Sequence, residues 1–185
     1  MGKILEVRWH GRGGMGAVTA AELLARAAIS EGRYAQSFPS FGPERRGAPV
    51  LAFLRLSDEF IRLRTNIYEP DIVVVLDPGL LRIVDITLGL KDGGKIIVNS
   101  RKSPEQLKSE FGYKWPVAAV NATKIAREAI GLPITNTAMI GAFLKVTEVV
   151  KMDSLMEELR ERFGKRADGN IEAMKRAYKE TVIKE

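Results

Sequence analysis

The chain has 185 residues, enough for one α/β domain with a substantial core and too few for two ordinary ones, and its composition is that of a soluble globular protein. It contains no cysteine and one histidine, which excludes disulfides, thiolate nucleophiles, an iron–sulfur cluster on its own thiolates and a multi-histidine metal site. A formal net charge of +6 predicts attraction to anions, meaning nucleic acid, a nucleotide-like cofactor or an acidic partner subunit, while no uninterrupted apolar stretch is long enough to span a bilayer.

The amino terminus, Met1-Gly2-Lys3-Ile4, runs straight into a strand without a signal-peptide core, so a cytoplasmic location is expected. Abundant charge with no cysteine fits a thermophilic source. Ile4 to Trp9 mixes β-branched and large apolar residues with charged ones, the pattern of a strand with a buried face. The strand is expected to end at Gly11-Arg12-Gly13-Gly14-Met15-Gly16, where four glycines in six positions allow a tight turn and bare backbone amides. From Ala17 to Glu31 the apolar residues Leu23, Leu24, Ala27 and Ala28 repeat at helical spacing, and Gly32 supplies the stop.

A second strand is expected over Tyr34 to Phe38. It leads into a shaped loop, Ser37 to Pro49, anchored by Phe38 and Phe41 and carrying Glu44, Arg45 and Arg46. Val50 to Leu56 and Phe60 to Arg64 each alternate around the turn Ser57-Asp58-Glu59, which predicts a β-hairpin with its arginines facing solvent. Asp71 to Asp77 reads as a central parallel strand, and Asp77 is either functional or the N-cap of a helix through Leu80 and Val84. Lys95 to Asn99 and Val117 to Asn121 read as further strands, with a short helix over Pro104 to Phe111 between them and a helix from Thr123 to Ile130 after them. Asn136 to Leu144 is apolar nearly all round, with Ala138, Gly141 and Ala142 permitting close approach by another element. Ser154 to Phe163 and Asn170 to Lys184 read as charged outer helices, the latter capped by Asn170 and carrying a Glu172 to Arg176 pair.

These elements predict one α/β domain over residues 1–185, Rossmann-like and three-layered, with a mainly parallel sheet and an inserted antiparallel hairpin. Gly11, Gly13 and Gly16 satisfy G-x-G-x-x-G between strand and helix, but no acid follows about 20 residues later to hold ribose hydroxyls. The turn therefore serves close packing alone, NAD(P) despite the missing acid, or another anionic group, for which amides at a helix start and the Arg12 guanidinium are suited. His10 could act as an acid or base near neutral pH or be a structural residue. No G-x-S-x-G elbow, Walker lysine or H-E-x-x-H is present. Basic residues are interleaved with Glu in the terminal helices, without the basic and aromatic clustering of nucleic-acid binders.

The segments Arg8-Trp9-His10-Gly11-Arg12-Gly13-Gly14-Met15-Gly16-Ala17, Phe38-Pro39-Ser40-Phe41-Gly42-Pro43-Glu44-Arg45-Arg46-Gly47-Ala48-Pro49, Arg55-Leu56-Ser57-Asp58 and Pro70-Asp71 resemble the gamma subunit of 2-oxoacid:ferredoxin oxidoreductases, in particular the archaeal pyruvate and 2-ketoisovalerate type. The resemblance covers essentially the whole chain. It implies a hetero-oligomeric enzyme that oxidatively decarboxylates 2-oxoacids on thiamine pyrophosphate with Mg, sends electrons through iron–sulfur clusters to ferredoxin and passes the acyl group to coenzyme A. Alpha, beta and ferredoxin-like delta subunits would be the partners and would hold the clusters and thiamine pyrophosphate. This chain would have no catalytic residue of its own. It would offer Gly11, Arg12, Gly13, Gly14, Gly16, Glu44, Arg45 and Arg46 to coenzyme A or to a neighbouring subunit. The alternatives are a stand-alone nucleotide-binding oxidoreductase and a binding module with no enzyme attached.

Overall fold

Side chains alternate across a strand, and β1 (Leu5–Arg12) uses this to face two environments. Val7 and Trp9 enter a core packed beneath helices, whereas Arg8 and His10 point to the opposite face of the sheet. The computed structural model describes residues 4–40 and 47–185. After β1 come α1 (Ala17–Ser30), β2 (Tyr34–Pro39), β3 (Pro49–Ser57), β4 (Ile72–Val75) and a 3-10 turn over Pro78–Arg82. Then follow β5 (Lys95–Asn99), α2 (Pro104–Phe111), β6 (Val117–Val120), α3 (Ala122–Ile130) and α4 (Asn136–Thr147). The chain closes with α5 (Met152–Phe163), a 3-10 turn at Gly164–Arg166, α6 (Ala167–Glu180) and β7 (Val182–Lys184).

The strands form one seven-stranded sheet in the order β2-β3-β1-β4-β5-β6-β7. Strands β1, β2, β4, β5 and β6 run in one direction, and β3 and β7 oppose them. One face is covered by α1, α4 and α6 over a core that includes Trp9, Leu24, Met139, Phe143 and Met174. Beneath the other face a smaller core gathers Val73, Val75, Leu80, Ile86, Val98 and Leu107 under α2 and the segment after β4. The expected mainly parallel α/β architecture is therefore present.

Its antiparallel component differs from expectation. Val50 to Leu56 does not pair with Phe60 to Arg64; it pairs with β1 from Leu5↔Leu56 to Arg12↔Pro49 on one side and with β2 on the other. Two long ladders satisfy both edges of β3, which outweighs a short local turn. Residues 58–71 form no strand, and Ile61 and Ile67 are buried there instead. Arg55, expected to face solvent, is 1% exposed: Nε donates to Glu6 Oε1 at 2.9 Å, and the guanidinium lies over the Phe38 ring. Phe38 is held in turn by Phe53, their ring centroids 5.2 Å apart, so its role as an anchor stands.

At the carboxyl end of the chain the last helix starts earlier and stops sooner than expected. Asn170 lies inside α6, where Nδ2 donates to the Arg166 carbonyl and Oδ1 accepts from Thr137 Oγ1, so it ties α6 to α4 rather than capping. Arg176 pairs with Glu128 and Glu180, not with Glu172. Val182–Lys184 breaks from the helix to add an edge strand to β6.

Candidate functional site

The connection after β1 runs through α1 to one side of the sheet, and the connection after β4 runs to β5 on the other side and over the other face. The carboxyl ends of β1 and β4 thus form a topological switch point, where open α/β sheets bind ligands. Gly11 and Arg12 still belong to β1, so the strand runs further than expected. Gly13 continues the ladder, its amide donating to the Ala48 carbonyl at 3.0 Å while the Gly47 amide donates back to Gly13 at 3.3 Å. Only Gly14 to Gly16 is free to turn, and Gly16 sits at the N-cap of α1 with φ 82°.

Gly16 is required twice over. Its left-handed backbone is costly for a residue with a Cβ, and a Cβ there would lie 2.6 Å from Nδ2 of Asn136, at the start of α4. The amino ends of α1 and α4 meet at this point. No side chain caps α1, so the amides of its first turn remain donors with the positive end of the helix dipole behind them.

Arg12 stands beside this turn and is already engaged. Its Nε donates to Asp77, and Nη1 donates to the Gly47 carbonyl at 3.0 Å. Asp77 uses its other oxygen to accept the Gly79 amide at 2.9 Å, which makes it the N-cap of the Pro78–Arg82 turn as well as the partner of Arg12. Any anion reaching Arg12 competes with Asp77 or shares the guanidinium with it.

The structure therefore brings Gly11, Arg12, Gly13, Gly14 and Gly16 to one end of the sheet, with Ser40 and Gly47 at the same end. Glu44, Arg45 and Arg46, with Phe41, lie outside the described residues. Sequence reasoning missed Asn136 and the pairing of Arg12 with Asp77. Asp77 did carry a signal, an acid closing a buried strand, but its partner is 65 positions away. Among the described residues, no group of three or more His, Cys, Asp or Glu could hold a metal ion.

Below the switch point, on the sheet face away from α1, a cleft of about 480 Å³ is lined by Arg8, His10, Ser40, Leu51, Leu80, Leu88 and their neighbours. His10 is 4% exposed, and its Nε2 accepts a hydrogen bond from Arg8 Nε at 3.1 Å. Burial first, and the Arg8 charge second, push its pKa down to about 3. His10 is thus neutral at physiological pH and is no acid for neutral-pH chemistry. Because the folded-state pKa lies below the usual 6.5, this contribution to stability is full above pH 6.5 and is lost as pH falls towards 3. In denaturant titrations, the wild type is expected to lose on the order of 3 kcal/mol more than a His10→Gln variant between pH 7 and pH 4. Parallel losses in the two proteins would show that His10 does not carry the effect.

The model of the pyruvate ferredoxin/flavodoxin oxidoreductase family matches residues 6–180. The chain is 54% identical over 184 residues to the pyruvate/ketoisovalerate oxidoreductases common subunit gamma of Thermococcus kodakarensis, covering 98% of this chain and all of that protein. Among solved structures, it resembles the pyruvate oxidoreductase subunit PORC of Thermotoga maritima with a TM-score of 0.87 and 38% identity over 99% of both chains. It also matches a 2-oxoglutarate:ferredoxin oxidoreductase from Magnetococcus marinus, solved with 2-oxoglutarate, coenzyme A and succinyl-CoA bound. There the TM-score is 0.76 and the identity 20% over 96% of this chain and 31% of that one, so the likeness is one of fold. Its length and fold are those of the small gamma subunits, and the protein belongs to the pyruvate ferredoxin/flavodoxin oxidoreductase family.

Proposed function

We propose that the chain, acting as one domain over residues 1–185, is the gamma subunit of a multisubunit 2-oxoacid:ferredoxin oxidoreductase. The complex decarboxylates pyruvate or a branched-chain 2-oxoacid, sends the electrons released to ferredoxin and transfers the acyl group to coenzyme A. The observation that carries this reading is the uncapped start of α1 beside Arg12 at the sheet's switch point, in a chain that aligns end to end with a gamma subunit. Coenzyme A is a pyrophosphate ester, and amides without a side-chain cap, a glycine that keeps the approach open and a guanidinium suit such a group. Gly11, Arg12, Gly13, Gly14 and Gly16 would orient the phosphates, and Glu44, Arg45 and Arg46 would offer their charged groups to coenzyme A or to a neighbouring subunit.

Thiamine pyrophosphate with Mg and the iron–sulfur clusters belong, on this reading, to alpha, beta and ferredoxin-like delta subunits. With no cysteine, this chain offers a cluster no thiolate. A stand-alone dinucleotide enzyme is disfavoured by topology. The insertion of β3 carries the carboxyl end of β2 two strand spacings, about 10 Å, from β1, too far for the usual ribose contact from the second strand. Transfer of electrons to ferredoxin fits the cytoplasm, and no helix among the described residues is long and apolar enough to cross a membrane.

Purification of the chain from its source, with mass analysis of co-eluting proteins and a 2-oxoacid-dependent dye-reduction assay, tests the reading. Cysteine-rich and thiamine-binding partners are expected, with activity lost when this chain is removed; an active or nucleotide-loaded monomer would overturn it. Within the complex, Arg45→Ala combined with Arg46→Ala is expected to raise the KM for coenzyme A roughly ten-fold. An unchanged KM with a weakened complex would assign both arginines to a subunit interface.

A further inference from the structure

The cleft on the second sheet face contains a buried cation with no carboxylate in direct contact. Arg8 is 6% exposed, and no carboxylate among the described residues lies within 4.0 Å of it. Its Nε is spent on His10, and Nη2 donates to the carbonyls of Ile86 and Leu88 at 3.1 and 2.7 Å. Nη1 makes no hydrogen bond among the described residues. Asp85 lines the same cleft and its charge favours the charged form of Arg8 from beyond ion-pair distance, while its Oδ1 accepts from the amide and hydroxyl of Thr87, at 2.9 and 2.6 Å. His10 is held neutral by burial and by Arg8 itself. Buried charges are ordinarily paired in contact, and Arg8 has only the more distant Asp85, so it retains the capacity for a direct counter-ion.

The surroundings indicate what presents the other half. The cleft wall is aliphatic, from Val50, Leu51, Leu80, Val84 and Leu88, and Leu88 is 70% exposed at its mouth. Ile83, a few positions away, is exposed too, as is Tyr68, whose carbonyl packs against Gly89. Exposed apolar groups around a concave site containing an arginine with no contacting carboxylate match the centre of a subunit interface, where apolar area and a desolvated charge pair are buried together. We infer that this cleft receives an acidic side chain, flanked by apolar residues, from another subunit of the oxidoreductase, with Arg8 as its counter-ion. The inference rests on the subunit reading above and adds a surface to it, on the opposite face of the sheet from α1.

The test exchanges the charge at Leu88, which is exposed enough to be replaced without disturbing the fold. Leu88→Glu and Leu88→Lys lose the same apolar contact, but only glutamate repels an incoming carboxylate. Each chain is titrated into the remaining subunits of the enzyme, prepared without this one. Leu88→Glu is expected to bind roughly ten-fold or more weakly than Leu88→Lys, with a difference that shrinks at high salt. Arg8→Met is expected to weaken assembly by a similar factor while the isolated chain keeps its circular dichroism. Equal affinities for the glutamate and lysine variants would overturn the inference and leave the subunit reading standing. A wild-type chain that binds no other subunit would overturn both. If Glu44→Gln destabilised the isolated chain as much as Arg8→Met, the counter-ion would belong to this chain itself, and the inference would also fail.

Discussion

Replacing Gly141 by alanine is expected to lower the stability of the isolated chain by on the order of 3 kcal/mol, among the largest losses from any single methyl group added to this protein. Gly141 lies in α4, and a Cβ there would be 2.0 Å from the Met174 carbonyl oxygen and 2.9 Å from its carbon. The obstacle is the backbone of α6, so no rotamer change relieves it. The two helices would have to separate along a contact where Thr137 donates to Asn170 and Lys145 lies over the Tyr178 ring. For a chain of this length the loss corresponds to roughly 6–12 °C in Tm. Gly141→Val should lose more, because two further methyls meet the same carbonyl. A loss below about 1 kcal/mol for Gly141→Ala would mean that α4 and α6 can move apart freely, against the packing described here.

Gly141 also marks what a sequence can disclose. Small residues in an apolar helix announce a close neighbour without naming it, and α6 is named only by the fold. The same distinction runs through the molecule. The Lys95–Asn99 strand and the Pro104–Phe111 helix were legible to the residue because their signals are local: a β-branched apolar run in one, and in the other a Ser103–Gln106 capping box with Pro104 at the first helical position. The place of β3 between β1 and β2 was not legible, since alternation fixes the faces of a strand but not its neighbours. The same insertion buries Arg55, whose partners Glu6, Gln36 and Asn66 come from three other segments. The turn around Gly16 was visible because a positive φ leaves glycine in the sequence. Arg8 was not, because an arginine in an alternating strand reads as solvent-facing until the loop that covers it is known.

In the assembled enzyme, Arg12→Ala is expected to raise the KM for coenzyme A ten-fold or more, and Asp77→Asn to lower it or leave it unchanged. A charge-assisted hydrogen bond to phosphate contributes about 1.5–3 kcal/mol where water is largely excluded. Arg12 precedes the uncapped start of α1 by a few residues, and both its side chain and that of Asp77 are only partly exposed. In the free chain Asp77 competes for this guanidinium, while its other oxygen holds the Gly79 amide. Asparagine keeps a carbonyl oxygen for Gly79 and removes the competing charge, so Arg12 can turn to an incoming phosphate. If the pair instead served only to tie the ends of β1 and β4 together, Arg12→Ala and Asp77→Asn would lower stability by similar small amounts, up to about 1 kcal/mol, and neither would move KM. The double variant separates the cases: a shared structural role gives a strong coupling in stability, whereas a phosphate-binding role gives a KM effect of Arg12→Ala that persists when Asp77 is already Asn.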